Sequence, residues 1–114
     1  KEANAHPEYK DMIVQSVASD IIYSNLFTGV HGNYLRGSIE AAGMDPSNLP
    51  ESDPSTMNFG TSNDSDAKAW KDIWGAGQGV GSVKEIQTTG ELVARLKREF
   101  LAAQDQLRTR LADF

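Results

Sequence analysis

The most regular pattern of apolar positions in this chain lies near its carboxyl end. Apolar side chains recur there at the three- and four-residue spacing of one face of an α-helix. They are Leu92, Val93, Leu96, Phe100, Leu107 and Leu111. Thr88 and Glu91, just before this run, have the Thr-x-x-Glu form of a capping box, in which each side chain accepts a hydrogen bond from the other residue's backbone N–H. The pattern predicts a long amphipathic helix.

Shorter elements are predicted in the first part of the chain. Pro7 suits the first position of a helix, whose apolar face would consist of Tyr9, Met12, Ile13 and Val17. The β-branched and aromatic run at residues 20–24 is typical of a short strand, and we expect its partner strand to lie outside this chain. Asn33 is suited to cap a helix that continues to Ala42 and ends at Gly43.

The middle of the chain favours a loop. Residues 44–66 carry Pro46, Pro50 and Pro54 among Ser, Asn and Asp residues, a composition that resists both helix and strand. Asp66 is then suited to cap a helix with Trp70 and Trp74 on one face. The chain therefore divides into residues 1–43, a proline-rich loop at 44–66, and residues 67–114.

Composition narrows the possible partners. The 114 residues carry a formal charge of −5, and their Lys and Arg residues are spread along the chain, so we expect no nucleic-acid partner. Apolar runs fall short of the ~20 residues of a membrane span, so we expect no membrane partner. The chain has no cysteine, which fits the cytoplasm. It begins at Lys1 rather than at a methionine, and we expect it to be part of a longer protein.

Residues 75–81, with four glycines in seven positions, are the candidate binding segment. They contain neither the Gly-Lys-Ser/Thr of a P-loop nor Gly-x-Gly-x-x-Gly, so a tight turn between packed helices is an equal alternative. Trp70 and Trp74 are four residues apart, a helical spacing that lets two indoles flank a flat ring such as a flavin, although such pairs more often lie in a core. Lys71 lies beside them in sequence, and we expect it to be an ordinary solvated lysine.

Neither histidine has the neighbours of a catalytic or metal site. His6 lies at a helix start and His31 in a glycine-flanked turn, and neither has a serine, cysteine or carboxylate at a triad or ligand spacing. We therefore expect no metal, and the residues alone identify no catalytic group.

The order of several short motifs resembles the C-terminal third of nitronate monooxygenases, the 2-nitropropane dioxygenase family. These motifs are Glu-Ala-Asn-Ala-His-Pro-Glu-Tyr-Lys at 2–10, Asp-Ile-Ile-Tyr at 20–23, Phe-Thr-Gly at 27–29, Asn-Tyr-Leu-Arg at 33–36, Trp-Lys-Asp-Ile-Trp-Gly-Ala-Gly-Gln-Gly-Val-Gly at 70–81 and Glu-Leu-Val-x-Arg-Leu at 91–96. The resemblance spans nearly the whole chain and is weakest in the proline-rich loop.

The resemblance implies that the chain is an α-rich fragment, the C-terminal portion of an α/β (β/α)8 TIM barrel with an added helical subdomain. Residues 1–43 would hold the last barrel helix with the following strand and helix. The family binds FMN at the C-terminal ends of the barrel strands and oxidises alkyl nitronates with oxygen to a carbonyl compound and nitrite. Enoyl reductases and NADH:quinone reductases use the same barrel and stay open as alternatives.

The family's catalytic histidine and its FMN-phosphate site belong to segments that would precede Lys1. The expected partners are thus the rest of the barrel, as the N-terminal part of the same polypeptide, and the parent's small-molecule substrate. This chain alone is expected to be inactive. Ala76, Gly77 and Gln78 are carried over by motif as cofactor-binding residues, and Trp70 and Trp74 join them by their helical spacing. The rival interpretation is a stand-alone helical binding or regulatory module that uses both tryptophans as anchors.

Overall fold

The computed structural model describes residues 1–53 and 71–114, and it is rich in helix with one small sheet. In order, the elements are helix α1 (Pro7–Gln15), a 3-10 turn (Ala18–Asp20), strands β1 (Ile21–Ser24) and β2 (Gly32–Leu35), helix α2 (Arg36–Ala41), a second 3-10 turn (Gln78–Ser82) and the C-terminal helix (Thr89–Ala112). They form two compact units, one comprising residues 5–84 and the other residues 1–4 with 85–114.

Helix α1 begins as predicted but ends early. Pro7 occupies its first turn, where a missing N–H costs nothing. At the other end, the Ser16 hydroxyl donates to the Met12 carbonyl oxygen at 2.7 Å. Ser16 has extended backbone angles and stops the helix. Val17 therefore lies outside the helix and is exposed, so its predicted place on the apolar face is wrong.

The sheet corrects two predictions about the first part of the chain. Strand β1 pairs antiparallel with β2 in the register Ile21 to Leu35 and Ser24 to Gly32, so its partner strand lies within this chain. Asn33 lies inside β2 and caps no helix. Helix α2 instead follows Leu35 directly and spans six residues. Local capping chemistry at Asn33 is outweighed by pairing with β1, because a strand gains hydrogen bonds along its whole length.

The core of the larger unit is small and centres on α2. Leu35 and Ile39 are 0% exposed, and Ile73 and Val80 are also buried. Gly43 follows the helix with a φ of 83°, a left-handed conformation that glycine adopts at little cost, as predicted. Residues 44–53 contain neither helix nor strand, and the rest of the predicted loop lies outside the described residues.

The C-terminal helix forms where the capping box predicts it. The Thr88 hydroxyl accepts from the Glu91 backbone N–H at 3.2 Å, and the Glu91 carboxylate accepts from the Thr88 N–H at 2.8 Å. A second carboxylate, Glu2, accepts from the Thr89 N–H at 3.0 Å. The helix runs for 24 residues, none of them buried. Within residues 1–53 and 71–114, no helix is long and apolar enough to cross a membrane.

Candidate functional site

The segment that precedes the glycine-rich turn is held along the outer edge of β2. Gly75 forms an antiparallel bridge with Tyr34. On either side of it, the Leu35 N–H donates to the Trp74 carbonyl oxygen at 2.8 Å and the Ala76 N–H donates to the Asn33 carbonyl oxygen at 3.3 Å. A side chain at Gly75 would bring its Cβ to 3.4 Å from the Asn33 oxygen. That is an ordinary van der Waals distance, so the pairing with β2 does not itself require glycine at this position.

Two side chains from other parts of the larger unit fasten the same segment. The Ser38 hydroxyl, only 1% exposed, accepts from the Trp74 N–H at 3.0 Å and donates to the Leu35 carbonyl oxygen at 2.8 Å. The Tyr9 hydroxyl donates to the Gly75 carbonyl oxygen at 2.8 Å. Neither role is predicted from the sequence. For Ser38 the available signal is a hydroxyl among apolar helix residues, because a buried polar group needs a hydrogen-bond partner.

Trp74 is packed by two aromatic side chains from the start of the chain. The ring of His6 stacks on it at a centroid distance of 6.2 Å, and the ring of Tyr9 is tilted against it at 5.4 Å. Its indole N–H donates to the Lys71 carbonyl oxygen at 3.2 Å. Lys71 and Asp72 are helical, and the helix ends at Asp72. Trp74 therefore lies beyond the helix, and its predicted helical position is wrong. Trp70 lies outside the described residues.

Gly77 and Gln78 follow at the surface of this unit. Gly77 is exposed, and a Cβ built on it meets nothing within 4 Å. Gln78 is also exposed and begins the 3-10 turn, while Val80 two residues later is buried. The turn is thus anchored at its middle residue, while its first and last residues are exposed to solvent. This arrangement leaves the Gln78 carboxamide accessible as a hydrogen-bonding group.

The other polar candidates are spread over separate surfaces. His31 stacks on Tyr23 at 4.7 Å, and both are exposed. Lys71 is exposed. An open groove of about 390 Å³ lies between α1 and α2, with Glu8, Asp11 and Glu40 on its walls and an Arg36–Asp20 ion pair at 3.9 Å. Over the described part of the chain, no group of three or more His, Asp or Glu side chains is arranged to hold a metal ion.

The comparisons with known proteins add no relative. No protein-family model, no curated protein and no solved structure matches this chain. The site is therefore interpreted from its own geometry and from the motif order described above.

Proposed function

We propose that this chain is the C-terminal portion of an FMN-dependent oxidoreductase that oxidises alkyl nitronates. In this proposal the chain completes a (β/α)8 barrel whose remaining part is the N-terminal segment of the same polypeptide. That segment supplies the catalytic histidine and the FMN-phosphate site. The fragment by itself has no turnover, and its compartment is the cytoplasm.

One observation carries the proposal most strongly. The motifs that resemble the family are far apart in sequence, yet three of them meet in one place. Tyr9 from the first motif hydrogen-bonds to Gly75, and Asn33 and Leu35 hydrogen-bond to Ala76 and Trp74. A set of motifs that served only local structure would have no reason to converge. Their convergence around the glycine-rich segment favours a shared role in presenting that segment.

The residues present suit one wall of a flavin site. The bare backbone at Gly77 leaves room for a flat ring to approach, and the exposed Gln78 carboxamide offers both a donor and an acceptor. Trp74 is already covered by His6 and Tyr9 and is better suited to support the wall than to stack on the ring. When bound, FMN takes electrons from the nitronate and passes them to oxygen, while the protein supplies position and electrostatics.

A comparison of glutamine variants in the full-length protein tests the proposal. The intact protein is expected to show flavin absorbance and to consume nitronate faster than an enoyl or quinone substrate. Gln78→Ala is expected to lower kcat/KM about tenfold or more, the effect of losing one hydrogen bond of about 1.4 kcal/mol or more in the transition state. Gln15→Ala, at an exposed glutamine in α1, is the matched control.

Two results contradict the proposal. One is a full-length protein that binds no flavin. The other is a flavoprotein in which Gln78→Ala and Gln15→Ala have the same activity and the same flavin spectrum as the unaltered protein. The first removes the cofactor assignment, and the second removes only the assignment of Gln78.

A further inference from the structure

The C-terminal helix carries an exposed apolar stripe along its full length. Phe100, near its middle, is 68% exposed. The stripe consists of Leu92, Val93, Leu96, Phe100, Leu107 and Leu111, all of them exposed. The rest of the helix surface carries charged residues mixed with Ala, Gln and Thr residues and Leu101, and it includes the i,i+4 ion pair Arg95–Glu99 at 3.3 Å. A continuous apolar stripe of this kind on a soluble protein marks an interaction surface.

The spacing within the stripe is that of a coiled-coil seam. Val93, Phe100 and Leu107 are seven residues apart, and Leu96 and Ala103 fall between them at the second apolar position of each heptad. The helix has 24 residues, and at 1.5 Å per residue it is about 36 Å long. It therefore holds about three heptads.

We infer that this stripe binds a second copy of the chain, with the two C-terminal helices antiparallel. The two-fold axis then lies between Leu101 and Ala102. In this register Phe100 packs against Ala103 of the second copy, so that a large side chain meets a small one. Leu96 packs against Leu107 of the second copy. Complementary volumes at facing positions are what close packing requires.

The charged residues beside the seam favour this register over the two registers that are shifted by one heptad. Beside the seam, Lys97 faces Gln104 of the second copy and Glu99 faces Gln106, so neither pair repels. Moving the helices one heptad in one direction places Lys97 beside Lys97 and Glu99 beside Glu99. Moving them one heptad in the other direction places Glu99 beside Asp113. Like charges at these flanking positions oppose association, and they leave the proposed register as the favoured one.

A parallel pair is disfavoured by a different residue. Arg110 lies one heptad after Ala103 and would face Arg110 of the second copy inside a parallel seam. In the antiparallel register it faces Val93 near the helix end, where its long side chain reaches water. Two guanidinium groups opposed in a seam would lose hydration and repel each other. The position of Arg110 thus sets the direction of the helices.

The surface area buried in the seam determines how tightly the two copies are expected to bind. Two helices of this length bury on the order of 1,000 Å² in total, which is at the lower limit of specific interfaces. We therefore expect a reversible dimer with a Kd of roughly 10 μM to 1 mM.

Sedimentation equilibrium of the full chain tests the association. The chain is expected to shift from monomer to dimer as its concentration rises through that range, and Phe100→Glu is expected to weaken the dimer at least tenfold. Leu101→Glu is the matched control, because Leu101 is an exposed apolar residue of the same helix that lies off the stripe. Circular dichroism of each variant checks that the helix is retained. A monomer at all concentrations up to about 1 mM overturns the inference, as does equal weakening by both variants.

Cysteine cross-linking tests the direction, since the chain has no cysteine of its own. One chain carries Leu96→Cys and the other Leu107→Cys, so that both keep Arg110, and oxidised glutathione is the oxidant. An antiparallel pair gives a disulfide only when the two chains are mixed. A disulfide formed by either variant alone at the same yield indicates a parallel pair and overturns the proposed arrangement.

Discussion

The two compact units of this chain are stabilised in contrasting ways. The unit of residues 5–84 contains every buried apolar residue of the described chain, and its strands and turns are joined by bonds between residues far apart in sequence. The unit of residues 1–4 and 85–114 is dominated by a helix with no buried residue, fixed at its start by capping. Burial and long-range backbone pairing thus fix the candidate site, whereas hydrogen bonds at the helix start and an exposed apolar stripe define the C-terminal helix.

The largest effect is expected from a substitution in the core of residues 5–84. Ile39→Ala removes a fully buried side chain and is expected to lower the free energy of unfolding by about 2–5 kcal/mol. Leu101→Ala in the C-terminal helix is the control, with an expected change within about 0.5 kcal/mol. Urea denaturation followed by tryptophan fluorescence measures the unfolding of residues 5–84, which contain both tryptophans, in each variant. Equal losses from both variants would mean that the two units do not differ as described.

A smaller effect tests the attachment of the candidate site. Ser38→Ala leaves the Trp74 N–H without its hydroxyl partner and is expected to cost about 1–3 kcal/mol. The Trp74 amide should then exchange with solvent faster. Ser82→Ala is the control, because the Ser82 hydroxyl donates to the Gly79 carbonyl oxygen at an exposed position. Unchanged exchange at Trp74 in the Ser38 variant would show that the backbone pairing with β2 holds the segment without help.

The capping box is the matching test in the second unit. Thr88→Ala removes the acceptor for the Glu91 N–H and is expected to lower helix stability by about 0.5–2 kcal/mol. Thr88→Ser should restore most of it, and Thr109→Ala is the control at the far end of the helix. Circular dichroism during thermal unfolding gives the loss, while tryptophan fluorescence should stay the same. A change in the fluorescence transition of equal size would contradict the separation of the two units.

The smallest effect is a pH dependence confined to the helix start. Hydrogen bonds from the backbone N–H groups of Glu2 itself and Thr89 lower the pKa of Glu2. Those from the Thr88 N–H and hydroxyl lower the pKa of Glu91. Because both values lie below the ordinary 4.5, the stabilisation is present above that pH and is lost as the pH falls through the lowered values. The protection of the first-turn amides, measured as their exchange rate relative to that of an unstructured peptide at the same pH, should fall there, and Glu2→Gln should reduce the change. Protection that is constant down to the lowest pH would contradict the prediction.

Elements whose determinants lie within a few residues could be predicted from the sequence alone. Pro7 at the start of α1, the pairing of Thr88 with Glu91 and the left-handed Gly43 each act over one helical turn, and the structure has all three. The apolar face of the C-terminal helix also follows from the spacing of its apolar residues, but its exposure does not, because such a face ordinarily packs against a core.

Only the tertiary structure decided the elements that depend on distant partners. Asn33 favours a helix cap locally, but residues 32–35 become a strand because β1 and the Trp74–Gly75 backbone supply hydrogen bonds on both edges. Trp74 leaves its helix because Ser38, His6 and Tyr9 hold it elsewhere. The three contacts of Trp74 join residues 36 to 68 positions apart, so no local sequence pattern predicts them. Local sequence determined where α1 and the C-terminal helix start and the left-handed turn at Gly43, and long-range pairing determined which residues meet at the candidate site.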